Sequence, residues 1–560
     1  MSQEHSPAIP ARSLTGMFLV WLAVIFVVKW RSLAEPPVWD AVFGLFPAAG
    51  ELADNGFNLS SLLQKPGCRD GGPNTHSESL VTWISAGVLW LLGKGPRAFA
   101  ALHVLHFSAA AWALSVLHRF LVPLWGRAMA WLFCGTLFLC PLFRVQVGTL
   151  YFEIPLTACT VAAVVSFSDG KLGRAVVWST LGVLVKQAGL VTAGALTVAA
   201  FCLPGSLASR LRRSGSFAAC GLAAAFWPLI SSSVLSDVAD KSPHESWWQY
   251  FSSMHVGYLT AIPDIALAFV LVALIGLLRW KEIWNALTTT ASPVIDTNSL
   301  SVGSIDSGSD RTTVASENPP ARMPPRALGV SFLLVVMYAL FFFVTPYIAR
   351  LFVLGLPRYF VFILPFLLFA LTHWLVSWSS LRIARLALVC VAILFYGNRE
   401  GLWYPKDGRD EISVLERGEN YRLMVEVQRE AAHTAANLPD DVVLYYGFED
   451  HFFQKYPWLG YADRTHPGGR SLGLASERPK SSQMQNLPER FFVIYSNPYL
   501  FGREANTILR NASKDPTRQV RLFRRCKRGP YKVDIVEVTT VAQEAVQKQD
   551  SEAAPAKKRG

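Results

Sequence analysis

Leu14–Trp30 reads LTGMFLVWLAVIFVVKW, and soon after it the chain carries Pro36-Pro37-Val38-Trp39-Asp40. The apolar run is close to the roughly 20 residues with which a helix crosses about 30 Å of hydrocarbon. Its basic lead is weak, Arg12, and no small-residue cleavage site follows, so it reads as a retained anchor and not as a signal peptide. Beyond Asp40, the residues Val42, Leu45, Phe46, Ala49, Leu52 and Ala53 recur at helical spacing, which suits an amphipathic helix lying on the membrane surface. Asp40 would there face both water and bilayer; an aspartate in that place also suits a helix N-cap.

Apolar runs of this kind recur along most of the chain. The 560 residues are 52% hydrophobic and only 16% charged, with a mean hydropathy of +0.30, far from an average soluble protein. Lipid offers the backbone no hydrogen-bond partners, so the spans must be helices. The expected fold class is mainly α: a polytopic membrane helical bundle of about 11–13 spans with a small C-terminal α/β domain on the outer face. The net charge of +12 gathers in loops between apolar runs, as in Arg210, Arg212 and Arg213, which is the signature of cytoplasmic loops and not of nucleic-acid binding.

Arg279 and Lys281 mark the same side, as do Lys171, Arg174, Arg382 and Arg385. Counting spans from these charges places Asp40, Glu153 and Lys186 outside. Three apolar segments then separate Asp40 from Glu153, so one of them is not a simple crossing; the short run starting near Ser77 and closed by Lys94-Gly95-Pro96-Arg97 is the expected exception. The expected domains are residues 1–397, the transmembrane part, with a first outer loop over 31–76 and a Ser/Thr/Asp/Pro-rich disordered cytoplasmic insert over 281–327. Residues 398–540 form an extracytoplasmic α/β domain and 541–560 a disordered tail. In the α/β part Leu415–Leu438 has a helical pattern, and VVLYYGF, ERFFVIYS, QVRLF and YKVDIVEV read as strands, the last two joined by a Lys-Arg-Gly-Pro turn.

Cys68 and Cys526 are the two cysteines outside the apolar spans, on one side of the membrane, and a disulfide between them is open. His103 and His106 lie at i, i+3 in an apolar span with no carboxylate nearby in sequence, which suits buried hydrogen-bonded histidines better than a zinc site. The triplets Asn58-Leu59-Ser60 and Asn511-Ala512-Ser513 are sequons that matter only in a eukaryotic secretory pathway.

Several segments together resemble the GT-C glycosyltransferases that use polyprenyl-phosphate sugars, in particular the family joining protein O-mannosyltransferases and the lipid A aminoarabinose transferase. Asp40 matches the family's acidic residue in the first outer loop, with Ala41 where Glu is common. Pro141-Leu142-Phe143-Arg144 and Tyr151-Phe152-Glu153-Ile154-Pro155 look like the segment carrying its second acidic residue. Gly182-Val183-Leu184-Val185-Lys186-Gln187 resembles a glycine, apolar pair and lysine at an outer boundary, and Pro357-Arg358-Tyr359 with Leu364-Pro365 a late Arg-Tyr and Pro entering a span. Where the family has His-Pro-Pro-Leu, this chain has Asn74-Thr75-His76-Ser77-Glu78-Ser79-Leu80.

The resemblance implies transfer of a sugar from a polyprenyl-phosphate donor to an extracytoplasmic acceptor with inversion. A carboxylate beside the acceptor can take its proton, the role given to Asp40, and single displacement needs no covalent enzyme nucleophile. Glu153 would orient the acceptor or a sugar hydroxyl, or pair with Arg144. Lys186 and Arg358 would bind the lipid phosphate and Tyr359 the substrate, with snorkelling to the interface as the other reading of Lys186 and a salt bridge to an acidic neighbour as that of Arg358. His76, Glu78 and Arg144 are further substrate-binding candidates. No Asp-x-Asp pair stands in the first outer loop, so no metal is expected and no cofactor beyond the lipid-phosphate sugar as co-substrate. The expected partners are that donor, a glycan, lipid or protein acceptor and membrane lipids, with no nucleic acid. The expected location is the bacterial inner membrane. The rivals are a transporter of lipid-linked sugars, for which an internal repeat is missing, and a non-catalytic GT-C-like envelope scaffold.

Overall fold

The computed structural model describes residues 11–38, 41–58, 79–222, 263–288, 326–349, 357–401, 418–472, 487–497 and 502–541. Asp40, Cys68, His76 and Glu78 lie outside them, as do the tail and residues 289–325 of the expected insert.

The first helices are α1 (Ala11–Lys29), α2 (Phe46–Asp54), α3 (Leu80–Leu92) and α4 (Pro96–Trp125). They are followed by α5 (Arg127–Leu139), α6 (Pro141–Gly148), α7 (Glu153–Ser168), α8 (Leu172–Val185) and α9 (Gly189–Cys202). After a gap come α10 (Pro263–Leu278), α11 (Trp280–Thr288), α12 (Arg326–Ala349), α13 (Leu364–Trp378) and α14 (Leu381–Gly397). Their outward faces carry bare aliphatic side chains, Val27 at 75% and Leu278 at 85% exposure among them, which water would not tolerate in such number. This is an integral membrane protein built as a polytopic helical bundle.

Two described helices are long and apolar enough to cross a membrane by themselves, Leu14–Ala34 and Pro96–Trp125. Two further pairs qualify only as bent units, α5 with α6 at 70° and α10 with α11 at 81°. Other apolar helices, α3, α7, α8, α9 and α13 among them, have 10–17 residues. The runs read from hydropathy therefore do not become one long helix each, because prolines and glycines break them: Pro141 opens α6, and Gly189 opens α9 directly after the turn that ends α8. Trp280–Thr288 is helical, so regular structure extends into the stretch expected as insert.

Helix α3 accounts for the surplus span. Its 13 residues rise only about 20 Å. Ser79 at its start donates from Oγ to the Val185 carbonyl (2.6 Å), while Lys94 just past its end pairs with Asp54 (2.5 Å) and sits 5.3 Å above the Trp458 ring. Both ends of α3 thus belong to the end of the bundle that bears the C-terminal domain, and the chain does not cross there.

The C-terminal domain has α15 (Tyr421–Ala436), α16 (Phe448–Lys455) and α17 (Gly502–Lys514) with strands β1 (Val443–Tyr446), β2 (Gly469–Ser471), β3 (Arg490–Asn497), β4 (Arg518–Arg528) and β5 (Tyr531–Thr540). The sheet order is β2-β1-β3-β5-β4, parallel between β1 and its two neighbours and antiparallel across β3, β5 and β4. Strand β3 alternates across the pleat: Phe492 and Ile494 join the core that contains α15, whereas Phe491 and Val493 join Ile508 and Ala512 of α17. Both faces of β3 are buried, which explains its nearly continuous apolar run.

Candidate functional site

The residues singled out from sequence meet where α7, α8 and the turn before α13 come together. Glu153 opens α7 and is 1% exposed, and its Oε1 receives Lys186 Nζ at 2.5 Å and faces Arg358 Nε at 3.7 Å. Lys186 caps the C-terminus of α8 in extended conformation, its N–H donating to the Gly182 carbonyl at 3.1 Å. Arg358 stands in the 3-10 turn Pro357–Phe360 and is 2% exposed.

Aromatic faces surround the two cations. Lys186 Nζ lies 4.0 Å from the Tyr359 ring centre and 5.8 Å from that of Phe152; the Arg358 guanidinium lies 4.8 Å from Tyr151 and 5.3 Å from Tyr359. Such faces attract cations while keeping water away. The second carboxylate oxygen of Glu153, Oε2, is buried with no hydrogen-bond partner. Glu153 thus faces two cations at low exposure, and cations held at that depth among aromatic rings suit an anionic group.

The turn that presents Lys186 depends on Gly189. A Cβ built there would lie 2.5 Å from the Gly182 carbonyl carbon and oxygen and 2.6 Å from Val183 N, so α8 and α9 close on each other only with glycine. Replacing Gly189 by Ala is expected to cost on the order of 3 kcal/mol. It should also pull Lys186 off Glu153, read as a lower melting temperature together with weaker lipid-phosphate binding.

Arg144 goes elsewhere. Its Nε donates to Glu419 Oε1 at 3.0 Å, and Lys29 Nζ reaches the same oxygen at 2.6 Å. The Glu35 carboxylate forms an ion pair with Arg422, 2.6 Å from its Nε, and accepts a hydrogen bond from the Tyr421 hydroxyl at 2.7 Å, while Arg422 Nη2 donates to Ser32 Oγ at 2.9 Å. This second cluster fastens the start of α15 to the end of the first span and to α6. Burial pushes the Glu419 carboxyl up, but Lys29, Arg144 and Arg422 outweigh it and hold it at about 2. Burial, and then the Glu35 carboxylate, raise the Tyr421 phenol well above its usual value, so it stays a donor.

Two histidines hold the segments between these clusters. His103 Nε2 lies 3.3 Å from the Glu35 carbonyl and His106 Nε2 lies 2.5 Å from the Tyr151 carbonyl. One ties the segment leading to Asp40, the other the segment leading to Glu153. From the opposite side the Tyr461 hydroxyl donates to the Pro37 carbonyl at 2.8 Å, and Trp458 stacks on Phe99 with 6.1 Å between ring centres. The chain just before Asp40 is thus held by bundle and domain together.

The structure therefore assembles Glu153, Lys186, Arg358 and Tyr359, and it separates Arg144 from them. Sequence reasoning missed Lys29, Glu35, Glu419 and Arg422. A lysine ending an apolar run was a visible signal for Lys29, whereas nothing local marks Glu419, whose partners lie hundreds of residues away. For Tyr151 and Phe152 the available signal was a pair of aromatics directly before an acid.

Fold and site define an integral membrane helical bundle with an acid and two cations buried at the end that carries an α/β domain. No family model matches the sequence, and no curated protein matches it. Two solved structures align with it, the crystal structures of ArnT from Cupriavidus metallidurans bound to undecaprenyl phosphate and in the apo state. Each is 12% identical, covers 93% of this chain and 98% of the other, and gives a TM-score of 0.40. At that distance the likeness carries no argument, and function is read from the residues.

Proposed function

We propose that the chain is a GT-C-type membrane glycosyltransferase that moves a sugar from a polyprenyl-phosphate donor to an acceptor at the domain-bearing end of the bundle, with inversion. The observation that supports it is the Glu153 cluster: two cations share one carboxylate among aromatic faces, at the end of an apolar bundle. A lipid-borne phosphate needs such a place, apolar along its tail and positive at its head. Its arrival would let Lys186 and Arg358 divide between the phosphate and Glu153.

In the reaction an acceptor O–H or N–H attacks the anomeric carbon, the bond from that carbon to the phosphate oxygen breaks, and the electron pair leaves with the polyprenyl phosphate. The acceptor's proton passes to the carboxylate assigned as base, Asp40, and the growing charge on the leaving phosphate is met by Lys186 and Arg358. These two cations take the part a metal would otherwise have. Glu153 keeps Lys186 and Arg358 in place. The basic loops with Arg210, Arg212, Arg213, Arg382 and Arg385 would lie in the cytoplasm, which puts the site and the α/β domain outside, in a bacterial inner membrane.

The test follows radiolabelled polyprenyl-phosphate sugar with purified protein and envelope extract. Wild type should release polyprenyl phosphate and label an acceptor, while Asp40→Asn should transfer roughly 100-fold more slowly or worse and still bind the lipid. Transfer at the wild-type rate by the variant overturns the base assignment; tight lipid binding without transfer by wild type, in an extract shown to hold the acceptor, overturns the transferase.

A further inference from the structure

Strand β4, RQVRLFRRCKR, has six Lys or Arg in 11 residues and no acid. It is the outermost strand of the sheet, bonded only to β5, and nearly all of it is exposed. Basic side chains and a bulge between Leu522 and Arg524 are usual protection for an open edge. They do not account for the aliphatic and aromatic residues beside them, since Leu522 and Phe523 are each 47% exposed. Four of the cations have carboxylates: Arg518 pairs with Asp515, Arg524 and Arg528 with Glu430, and Arg525 with Asp534. Among the described residues Arg521 and Lys527 have none.

The position of this strand relative to the bilayer follows from α15. The first span ends in exposed Trp30 with Arg31 5.6 Å from its ring, and α14 ends in exposed Tyr396 with Arg399 at 4.9 Å. Aromatic and basic pairs at helix ends mark the headgroup level. Both helix ends touch the start of α15: Arg422 pairs with Glu35, and the Glu419 N–H donates to the Arg399 carbonyl at 3.0 Å.

Further along α15, the Ala432 carbonyl accepts from Gln454 of α16, and α16 packs on residues 41–45 of the bundle end. Helix α15 therefore lies across the end of the bundle. Strand β4 packs beside it, with Arg524 and Arg528 on Glu430, and the β4–β5 turn returns to its first turns, where Gly529 abuts Leu423. The basic edge therefore follows α15 across the end of the bundle.

We infer that the exposed edge of β4 and the turn after it rest on anionic phospholipid headgroups of the adjoining leaflet. Arg521 and Lys527 meet lipid phosphates, and Val520, Leu522 and Phe523 enter the interfacial layer. This contact holds the small domain at a set height above the bundle, as a second attachment beside the Glu419 cluster. It does not depend on the transferase reading.

The test is hydrogen exchange by mass spectrometry on the full-length protein in nanodiscs of phosphatidylcholine alone and of phosphatidylcholine mixed with phosphatidylglycerol. Backbone amides of residues 519–527 should exchange roughly fivefold more slowly in the anionic discs, the effect of about one cation held at an anionic surface. The gain should vanish in about 1 M salt and in the double variant Arg521→Gln, Lys527→Gln. Unchanged exchange of β3 shows that this variant is folded, and Leu522→Ser should lose part of the protection by the apolar route. Equal exchange in both discs, or protection that survives the double variant, overturns the inference. Protection in neutral discs that appears only on adding an acidic glycan or protein also overturns it, by assigning the edge to that partner.

Discussion

Arg358→Met is expected to lower kcat/KM for a polyprenyl-phosphate sugar about 100- to 1000-fold, the cost of removing one preorganised group aimed at developing charge. The loss should fall on turnover more than on folding, because Glu153 keeps Lys186 at 2.5 Å and is not left as an unpaired buried charge. Arg358→Lys separates charge from shape: it restores a cation but not the planar stacking on Tyr151 and Tyr359, and should recover only part of the activity. The check is release of labelled polyprenyl phosphate by the three proteins at equal, folded concentrations. Wild-type kinetics in Arg358→Met would remove Arg358 from the site.

Glu419→Ala should act on stability instead. It leaves Lys29, which is fully buried, and Arg144 without their carboxylate, and breaking a buried pair in this way costs about 3–5 kcal/mol. Since that pair fastens α15 to the first span, limited proteolysis should release residues 418–541 from the variant well before it does so from wild type.

The same carboxylate sets a pH dependence. Its folded pKa of about 2 lies below the ordinary 4.5, so its contribution is complete above about pH 4.5 and is lost as pH falls towards 2. The amount is on the order of 3 kcal/mol. Thermal unfolding of wild type should therefore show an acid-side loss over that window which Glu419→Gln does not share. Parallel pH curves for the two proteins would show that Glu419 does not carry the junction.

Much of the architecture was legible because it follows from quantities that add up along the chain. Apolar runs sum to membrane helices, and the strands of the C-terminal domain showed themselves as short β-rich runs, including the β4–β5 hairpin across Lys527-Arg528-Gly529-Pro530. Helices α16 and α17 and strand β2 were not seen, because FEDHFFQK and GREANTILRNASK are polar on average and GRS is only three residues long. The surplus apolar run was legible as a contradiction in span parity. The short run from Ser77, which becomes α3, was its expected source; that this helix begins against Val185 and ends against Asp54 and Trp458 was not legible.

By itself the sequence determined that this is a membrane protein, which runs are apolar helices, and that an α/β domain follows them. Each of these is a local transfer free energy, additive over neighbouring residues. Only the tertiary structure decided which charges share a site: that Glu153 takes Lys186 and Arg358, and that Arg144 leaves it for Glu419. A buried ion pair is stable only through the Coulomb attraction of its partner, which falls with distance in space and takes no account of separation along the chain.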